Sequence, residues 1–121
     1  MSKKILIIED EEALVKNLEL ALKDDFEVKS SQLGKEGLKL VSKFQPDLIL
    51  LDIMLPDTTG SDILQELKKK KETELIHVIV LTNLADSQTV SNILAAGGRD
   101  YLVKADWSIQ DIVSKIKESL E

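Results

Sequence analysis

The sequence predicts an α/β fold in which five parallel strands form one doubly wound sheet, with five helices packed on its two faces. Three observations support this prediction: apolar runs alternate with amphipathic segments five times, the central runs are apolar without interruption, and no repeat or low-complexity segment breaks the alternation. Uninterrupted apolar runs are typical of parallel strands that are buried on both faces. Because strand–helix–strand units are right-handed, the alternation places helices on both sides of the sheet.

Five segments are predicted as strands. The runs at residues 5–8 and 48–51 are apolar throughout, and residues 76–81 are apolar except for His77. Residues 26–30 instead alternate apolar and polar side chains, as an edge strand does. Residues 100–103 form a short last strand. The edge character of the second strand favours the order 2-1-3-4-5, the flavodoxin-like arrangement, whose switch point lies between the first and third strands.

A segment with helical periodicity follows each strand. The apolar residues expected to be buried are Leu14, Leu18, Ala21 and Leu22; Leu38, Val41 and Phe44; Ile63, Leu64 and Leu67; Val90, Ile93 and Leu94; and Ile109, Ile112, Val113, Ile116 and Leu120. The predicted N-caps are Asp10 for the first helix, Asp86 or Ser87 for the fourth and Ser108 for the fifth, and Pro46 ends the second helix.

Composition narrows the possible functions. The 121 residues are expected to form one domain, 1–121, and the net charge of −6 argues against direct nucleic-acid binding. Cysteine is absent, which fits a reducing cytoplasm, and the apolar runs are too short to cross a membrane. We therefore expect a cytoplasmic domain with no membrane contact.

Chemically matched side chains follow four of the predicted strands. Glu9 and Asp10 follow the first strand, Asp52 the third, Thr82 the fourth and Lys104 the fifth. Since parallel strands end at the same edge of a sheet, three carboxylates converge at the switch point, where an oxygen-binding hard cation such as Mg²⁺ would relieve their repulsion. The hydroxyl and the ammonium offer an anion site beside Asp52. Together these groups are the parts needed for phosphoryl transfer to an aspartate.

The same residues resemble those of a known family, the receiver domains of bacterial two-component response regulators, such as the chemotaxis response regulator. Residues 5–11 are similar to the acidic end of the family's first strand, and residues 50–56 with Gly60 are similar to its phosphoacceptor segment. Thr82 follows Asp52 by 30 residues and Lys104 follows Thr82 by 22, as in the family. The resemblance covers essentially the whole chain.

The resemblance implies a role for each residue at the acidic end of the site. Asp52 would be the nucleophile that takes a phosphoryl group from a phosphohistidine. Asp10, Asp52 and the backbone carbonyl of Met54 would hold Mg²⁺, and Glu9 would assist mainly through water.

The resemblance also implies an anion site and a conformational switch. Thr82 and Lys104 would bind the phosphoryl oxygens, and Tyr101 would move into the space that Thr82 leaves. The implied partners are a sensor histidine kinase or phosphotransfer protein and a downstream effector domain or protein. The chain would not be an enzyme, except in catalysing its own phosphorylation and dephosphorylation.

The segment after Lys104 departs from the family pattern. The family usually has proline after this lysine, joined through a cis bond, whereas Ala105 follows here, and the stretch before the last helix looks one residue longer. Either this bond is cis, at a cost of about 3 kcal/mol, or the loop is trans and rearranged. Asn83 replaces a small residue and is expected to narrow access to the phosphate.

Three other functions compete with a phosphorylatable switch. A flavodoxin-like cofactor binder needs a phosphate cradle after the first strand, but residues 9–12 are all acidic. An aspartate-dependent phosphatase needs two acidic residues spaced around its nucleophile, which residues 52–54 do not supply. A degenerate receiver that acts only in protein–protein docking is the remaining alternative, because the loop after Lys104 is altered. His77 and Trp107 are interpreted as structural and packing residues.

Overall fold

The computed structural model describes residues 2–83 and 87–121 and shows one five-stranded sheet. Its strands are β1 (Lys4–Ile8), β2 (Glu27–Ser31), β3 (Leu48–Asp52), β4 (His77–Thr82) and β5 (Asp100–Val103). All pairs are parallel and the order is β2-β1-β3-β4-β5. The predicted fold class and strand order are therefore confirmed.

Five α-helices connect or follow the strands. They are α1 (Glu12–Leu22), α2 (Gly34–Phe44), α3 (Gly60–Lys69), α4 (Ser87–Ala95) and α5 (Ile109–Ser119), with a 3₁₀ turn at Lys104–Asp106. Asp86, one of the two predicted caps of α4, lies outside the described residues. Within residues 2–83 and 87–121, no helix has the length and apolar character needed to cross a bilayer.

The sheet separates two apolar layers. On one face of the sheet, alternate strand residues form a cluster with buried side chains of α2, α3 and α4. On the other face, the remaining strand residues form a second cluster with side chains of α1 and α5. The strands β1 and β3 are buried along nearly their whole length, whereas β2 is mostly exposed. This burial pattern explains why the central runs are continuous and the second strand alternates.

Two predictions about α1 were wrong. Glu11, not Asp10, occupies the N-cap position, and its side chain makes no capping hydrogen bond. Val15 is buried with Leu18 and Leu22, while Ala21 is exposed. The buried stripe of α1 is formed by Val15, Leu18 and Leu22. At about 100° per residue, Ala21 lies at the margin of this stripe.

For the other helices, the predicted cap of α5 and the end of α2 are confirmed, whereas the predicted burial is confirmed only in part. Ser108 caps α5 in a reciprocal capping box: its Oγ accepts from the Asp111 N–H at 3.1 Å, and its own N–H donates to Asp111 Oδ2 at 3.1 Å. The helix α2 ends at Phe44, before Gln45 in left-handed conformation and Pro46. Of the other residues predicted as buried, Leu38, Val90, Ile109, Val113 and Leu120 are only partly buried and Leu94 is exposed.

The bond between Lys104 and Ala105 is trans, since the described chain contains no cis peptide bond. The chain turns immediately through the 3₁₀ segment before reaching the cap of α5. Of the two alternatives for this loop, the rearranged trans form is the one observed.

Candidate functional site

The register of the sheet brings the predicted site residues to one edge. Ile8 pairs with Leu51, Asp52 with Leu81, and Thr82 with Val103. The residues that follow β1 and β5 therefore lie beside the last residues of β3 and β4. This edge is the one at which open α/β sheets form their binding crevices.

Three carboxylates gather at the switch point between β1 and β3. One oxygen each from Glu9, Asp10 and Asp52 lie within 4.8 Å of one another. Glu9 and Asp52 are buried, while Asp10 is exposed at the mouth of the cluster. The convergence predicted from the sequence is thus present.

The Lys104 ammonium lies among these carboxylates. Its Nζ is 2.5 Å from Glu9 Oε1, 3.6 Å from Asp52 Oδ2 and 3.6 Å from Glu11 Oε2, and the side chain is only 12% exposed. Burial alone would lower the pKa of Lys104, but its hydrogen bond to Glu9 and the charges of Asp52, Glu9 and Glu11 outweigh this and raise the pKa. The lysine therefore serves as the resident counter-ion of the cluster.

Asp52 is held by the backbone that follows it. Its Oδ1 accepts a hydrogen bond from the Met54 N–H at 3.3 Å, and its Oδ2 faces Lys104. Burial, followed by the negative charge of Glu9, raises the pKa of Asp52 from 3.8 to about 7, although Lys104 opposes this rise. Without a further cation, Asp52 is therefore protonated more readily than an ordinary aspartate.

Gly60 allows the loop after β3 to fold back against Asp52. A Cβ on this glycine would lie 2.6 Å from the Asp52 carbonyl oxygen and 2.8 Å from the Ile53 Cα, so a side chain would push the loop away from the strand. The Gly60 N–H instead donates to the Ile53 carbonyl at 2.8 Å. The position of Met54 relative to Asp52 depends on this contact.

The donor set fits a hard divalent cation. All three side chains of the cluster offer carboxylate oxygens, which Mg²⁺ prefers. The backbone carbonyl of Met54, two residues after Asp52, is the fourth ligand that the resemblance implies. Glu9 is fully buried, and the charge of its Oε1 is balanced by the Lys104 ammonium 2.5 Å away. Asp10, Asp52 and Met54 are therefore the residues that would hold the ion, with Glu9 beside them.

Thr82 and Tyr101 occupy different environments. Thr82 is fully buried at the end of β4, whereas Tyr101 in β5 is 38% exposed and pairs with Val80 of the neighbouring strand.

A groove of about 650 Å³ runs from Asp52 past Thr82 towards α4, and the exposed Asn83 forms part of its wall. This groove gives one route of access to Asp52.

Glu11 and Asp57 are two residues of the site region for which the sequence pattern predicts no specific role. Glu11 approaches Lys104, and its N–H donates to Glu9 Oε2 at 3.0 Å. Asp57 caps α2 from a distance, accepting from the Lys35 N–H at 3.0 Å and the Gly34 N–H at 2.8 Å. These hydrogen bonds lower the pKa of Asp57 and fasten the loop after β3 to α2.

His77 and Trp107 lie apart from the acidic cluster. His77 starts β4 at the opposite edge of the sheet, with Nε2 2.7 Å from Asp100 Oδ2, which agrees with its interpretation as a structural residue. Trp107 follows the 3₁₀ turn and is 36% exposed, so it is only partly packed.

Comparison with known proteins identifies the class to which this fold and site belong. The family model described as "Response regulator receiver domain" matches residues 5–117. The chain belongs to this family of two-component signalling domains.

Individual relatives agree with this assignment. The chain is 35% identical over 121 residues to the phosphate regulon transcriptional regulatory protein PhoB of Rhizobium meliloti, covering 99% of this chain and 53% of that protein. A CheY-like receiver domain protein from Methanospirillum hungatei superposes with a TM-score of 0.89 at 30% identity, over 99% of this chain and 94% of that one. The BeF3-activated DrrB receiver domain superposes with a TM-score of 0.84 at 28% identity, over 99% of this chain and 98% of that one. The chain spans about half the length of the curated relatives that it matches.

Proposed function

We propose that this receiver domain is phosphorylated on Asp52 and that phosphorylation changes the surface it offers to a partner. The observation that carries this proposal is the placement of Asp52, a buried carboxylate with a cluster of acidic oxygens on one side and the Lys104 ammonium 3.6 Å away. A carboxylate that only capped a turn would need neither neighbour.

The phosphoryl donor is proposed to be a phosphohistidine of a sensor histidine kinase or phosphotransfer protein. An Asp52 oxygen forms the new bond to phosphorus while the phosphorus–nitrogen bond breaks, and the imidazole leaves with that electron pair and takes up a proton. The hydrogen bond from the Met54 N–H orients the carboxylate for this attack. Lys104 and Thr82 then bind the phosphoryl oxygens at the same edge of the sheet.

Mg²⁺ is proposed as the cofactor, held by Asp10, Asp52 and the Met54 carbonyl, with Glu9 assisting through water. When bound, the ion supplies positive charge that keeps Asp52 ionised and screens the incoming phosphoryl group. The raised pKa of Asp52, about 7, gives the physical reason why such a charge is needed. The reaction would be catalysed by the receiver on itself, so the chain would not act as an enzyme on other molecules.

The proposed switch transmits the new charge from Asp52 to β5. A phosphoryl dianion draws the Thr82 hydroxyl towards it, and Tyr101 moves from its half-exposed position into the space left behind. The surface of α4, β5 and α5 then changes shape. Leu94, which is 51% exposed on α4, adds an apolar side chain to this surface and supports its use as a contact for a partner.

We further propose that residues 1–121 form a single receiver domain that works in the cytoplasm and controls an effector domain or protein. PhoB is described as a transcriptional regulator, and the chain matches about half of it. The acidic net charge of −6 supports an indirect role in any such output, without DNA binding by this domain.

Phosphorylation can be tested with a small donor. We expect phosphoramidate or acetyl phosphate with Mg²⁺ to add one phosphoryl group, seen by intact mass, and to change Trp107 fluorescence. Asp52→Asn and metal chelation should abolish the adduct, whereas Asp62→Asn, which alters an exposed aspartate of α3, should retain it. An unmodified protein at saturating donor would refute the proposal and leave the docking module as the remaining function.

A further inference from the structure

The way Lys104 is aimed needs an explanation in this chain. The peptide bond after Lys104 is trans, and the backbone enters a 3₁₀ turn whose residues Ala105 and Asp106 are exposed. Lysine carries its charge on a flexible four-carbon stem, so the backbone alone does not fix the position of the ammonium. Contacts to the Lys104 side chain must therefore fix the position of the ammonium.

Those contacts come mainly from the loop between β1 and α1. Glu9 Oε1 lies 2.5 Å from Lys104 Nζ, and Glu11 Oε2 lies 3.6 Å from it, on a side chain that is 59% exposed. Asp52 Oδ2 is the third neighbour, also at 3.6 Å. The ammonium is thus shared between the phosphoacceptor and two carboxylates that do not accept phosphate.

Glu11 acts on Lys104 in two ways. Its side chain contributes one of the three charges around the ammonium, and its backbone N–H donates to Glu9 Oε2 at 3.0 Å. The Glu9 backbone is fixed in turn, because its N–H donates to the Ser31 carbonyl at 3.0 Å. Glu11 therefore holds the buried glutamate in place as well as facing the lysine directly.

We infer that Glu11 is a positioning residue, which together with Glu9 aims Lys104 at the phosphoryl site. Glu11 is assigned no contact with the reacting atoms; it restrains the ammonium within reach of Asp52. This inference rests on the proposed function, because it gives Lys104 its task. It explains how a lysine followed by alanine in a trans loop keeps its place beside the phosphoacceptor.

Glu11→Gln tests the inference, with Glu12→Gln as the matched control. Both changes remove one negative charge at the start of α1, but the Glu12 carboxylate accepts a hydrogen bond from Gln32 Nε2 at 3.2 Å, which the amide oxygen of glutamine can also accept. Glu11 is exposed enough for glutamine to be accommodated without disturbing the fold. The two variants therefore have the same net charge, and they differ in whether the carboxylate that is removed faces Lys104.

Two measurements are needed. At saturating Mg²⁺, we expect the phosphorylation rate with phosphoramidate to fall at least about fivefold in Glu11→Gln and to stay within about twofold of wild type in Glu12→Gln. The ¹⁵N NMR signal of the Lys104 ammonium should be observable in the wild type and in Glu12→Gln, because an ion-paired, shielded ammonium exchanges slowly with water. It should broaden or vanish in Glu11→Gln.

The outcomes distinguish this inference from the proposed function. Equal rates and equal ammonium signals in the two variants would overturn the positioning role of Glu11. If wild-type protein accepts no phosphoryl group, the proposed function fails, and the ammonium signal still decides whether Glu11 fixes Lys104. A low rate with an unchanged ammonium signal would also overturn the inference, since Lys104 would then be held without Glu11.

Discussion

The carboxyl ends of the strands form what we call the carboxyl edge of the sheet, and their amino ends form the amino edge. A lysine lies near a carboxylate at each edge, but only the carboxyl edge buries it. At the carboxyl edge, the side chains of Lys104, Glu9 and Asp52 are 12%, 0% and 5% exposed. At the amino edge, Lys115 approaches Asp100 at 3.8 Å, and the two side chains are 31% and 30% exposed. Both edges pair an ammonium with a carboxylate, but water reaches the pair at the amino edge more readily.

This difference determines what each edge can do. Exposed pairs gain little because water already solvates both partners, whereas buried charges lose their solvation and depend on each other. At the carboxyl edge, the carboxylates outnumber the one buried ammonium and are shielded from water. A bound cation would therefore stabilise this edge. The amino edge, where His77 completes the cluster, can fasten strands together without responding strongly to ligands.

The largest effect on stability should come from removing the buried ammonium of Lys104. Lys104→Met leaves Glu9 and Asp52 without their counter-ion, and we expect it to lower the free energy of unfolding by about 3 kcal/mol in metal-free buffer at pH 8. Urea denaturation measures this loss. Lys115→Met is the matched control at the amino edge and should cost less than about 1 kcal/mol. Equal losses would show that burial does not distinguish the two edges.

The next effect should come from adding a cation. Mg²⁺ binding to the acidic cluster should raise the melting temperature, and at 100 times its dissociation constant the stabilisation would be about 2.7 kcal/mol. Asp100→Asn, at the amino edge, should retain the increase, while Asp52→Asn should lose most of it. A wild-type melt insensitive to Mg²⁺ at constant ionic strength would argue against a metal site at Glu9, Asp10 and Asp52.

The placement of the site could be predicted because it depends on strand order and on residues at strand ends. The continuous runs in β1 and β3 and the alternating pattern of β2 determine which strands are neighbours. Once β1 and β3 are adjacent, Glu9 and Asp52 must lie at the same edge. Apolar periodicity was therefore sufficient to locate the acidic cluster.

The contacts of individual polar side chains could not be predicted in the same way. Residues 9–12 are four consecutive acids, and only the path of the loop decides that Glu11 faces Lys104 while Glu12 reaches Gln32. Asp57 caps a helix that begins 23 residues earlier in the chain, so no local pattern reveals the bond. Such contacts depend on tertiary packing and leave no periodic signal in the sequence.

A smaller effect concerns the pH dependence of Asp52. Its pKa is raised from 3.8 to about 7, so between these pH values the folded state binds more protons than the unfolded state, and stability falls as the pH rises. Asp52→Asn removes this charge. In metal-free buffer, we expect the variant to have a higher free energy of unfolding than the wild type at pH 8, with the difference shrinking as the pH falls and vanishing below about pH 4. Urea titrations across this range measure it, and a constant difference at all pH values would contradict the assignment.

The smallest effect should be found at the amino edge, in the pair formed by His77 and Asp100. Both side chains are about one-third exposed, so a double-mutant cycle of His77→Gln and Asp100→Asn should give a coupling energy of less than about 1 kcal/mol, decreasing as salt is added. Denaturation of the two single variants and the double variant at pH 7 provides the measurement. A coupling as large as the loss in Lys104→Met would mean that short distance, 2.7 Å here, matters more than burial. The contrast between the two edges would then need a different cause, such as the number of carboxylates that surround each cation.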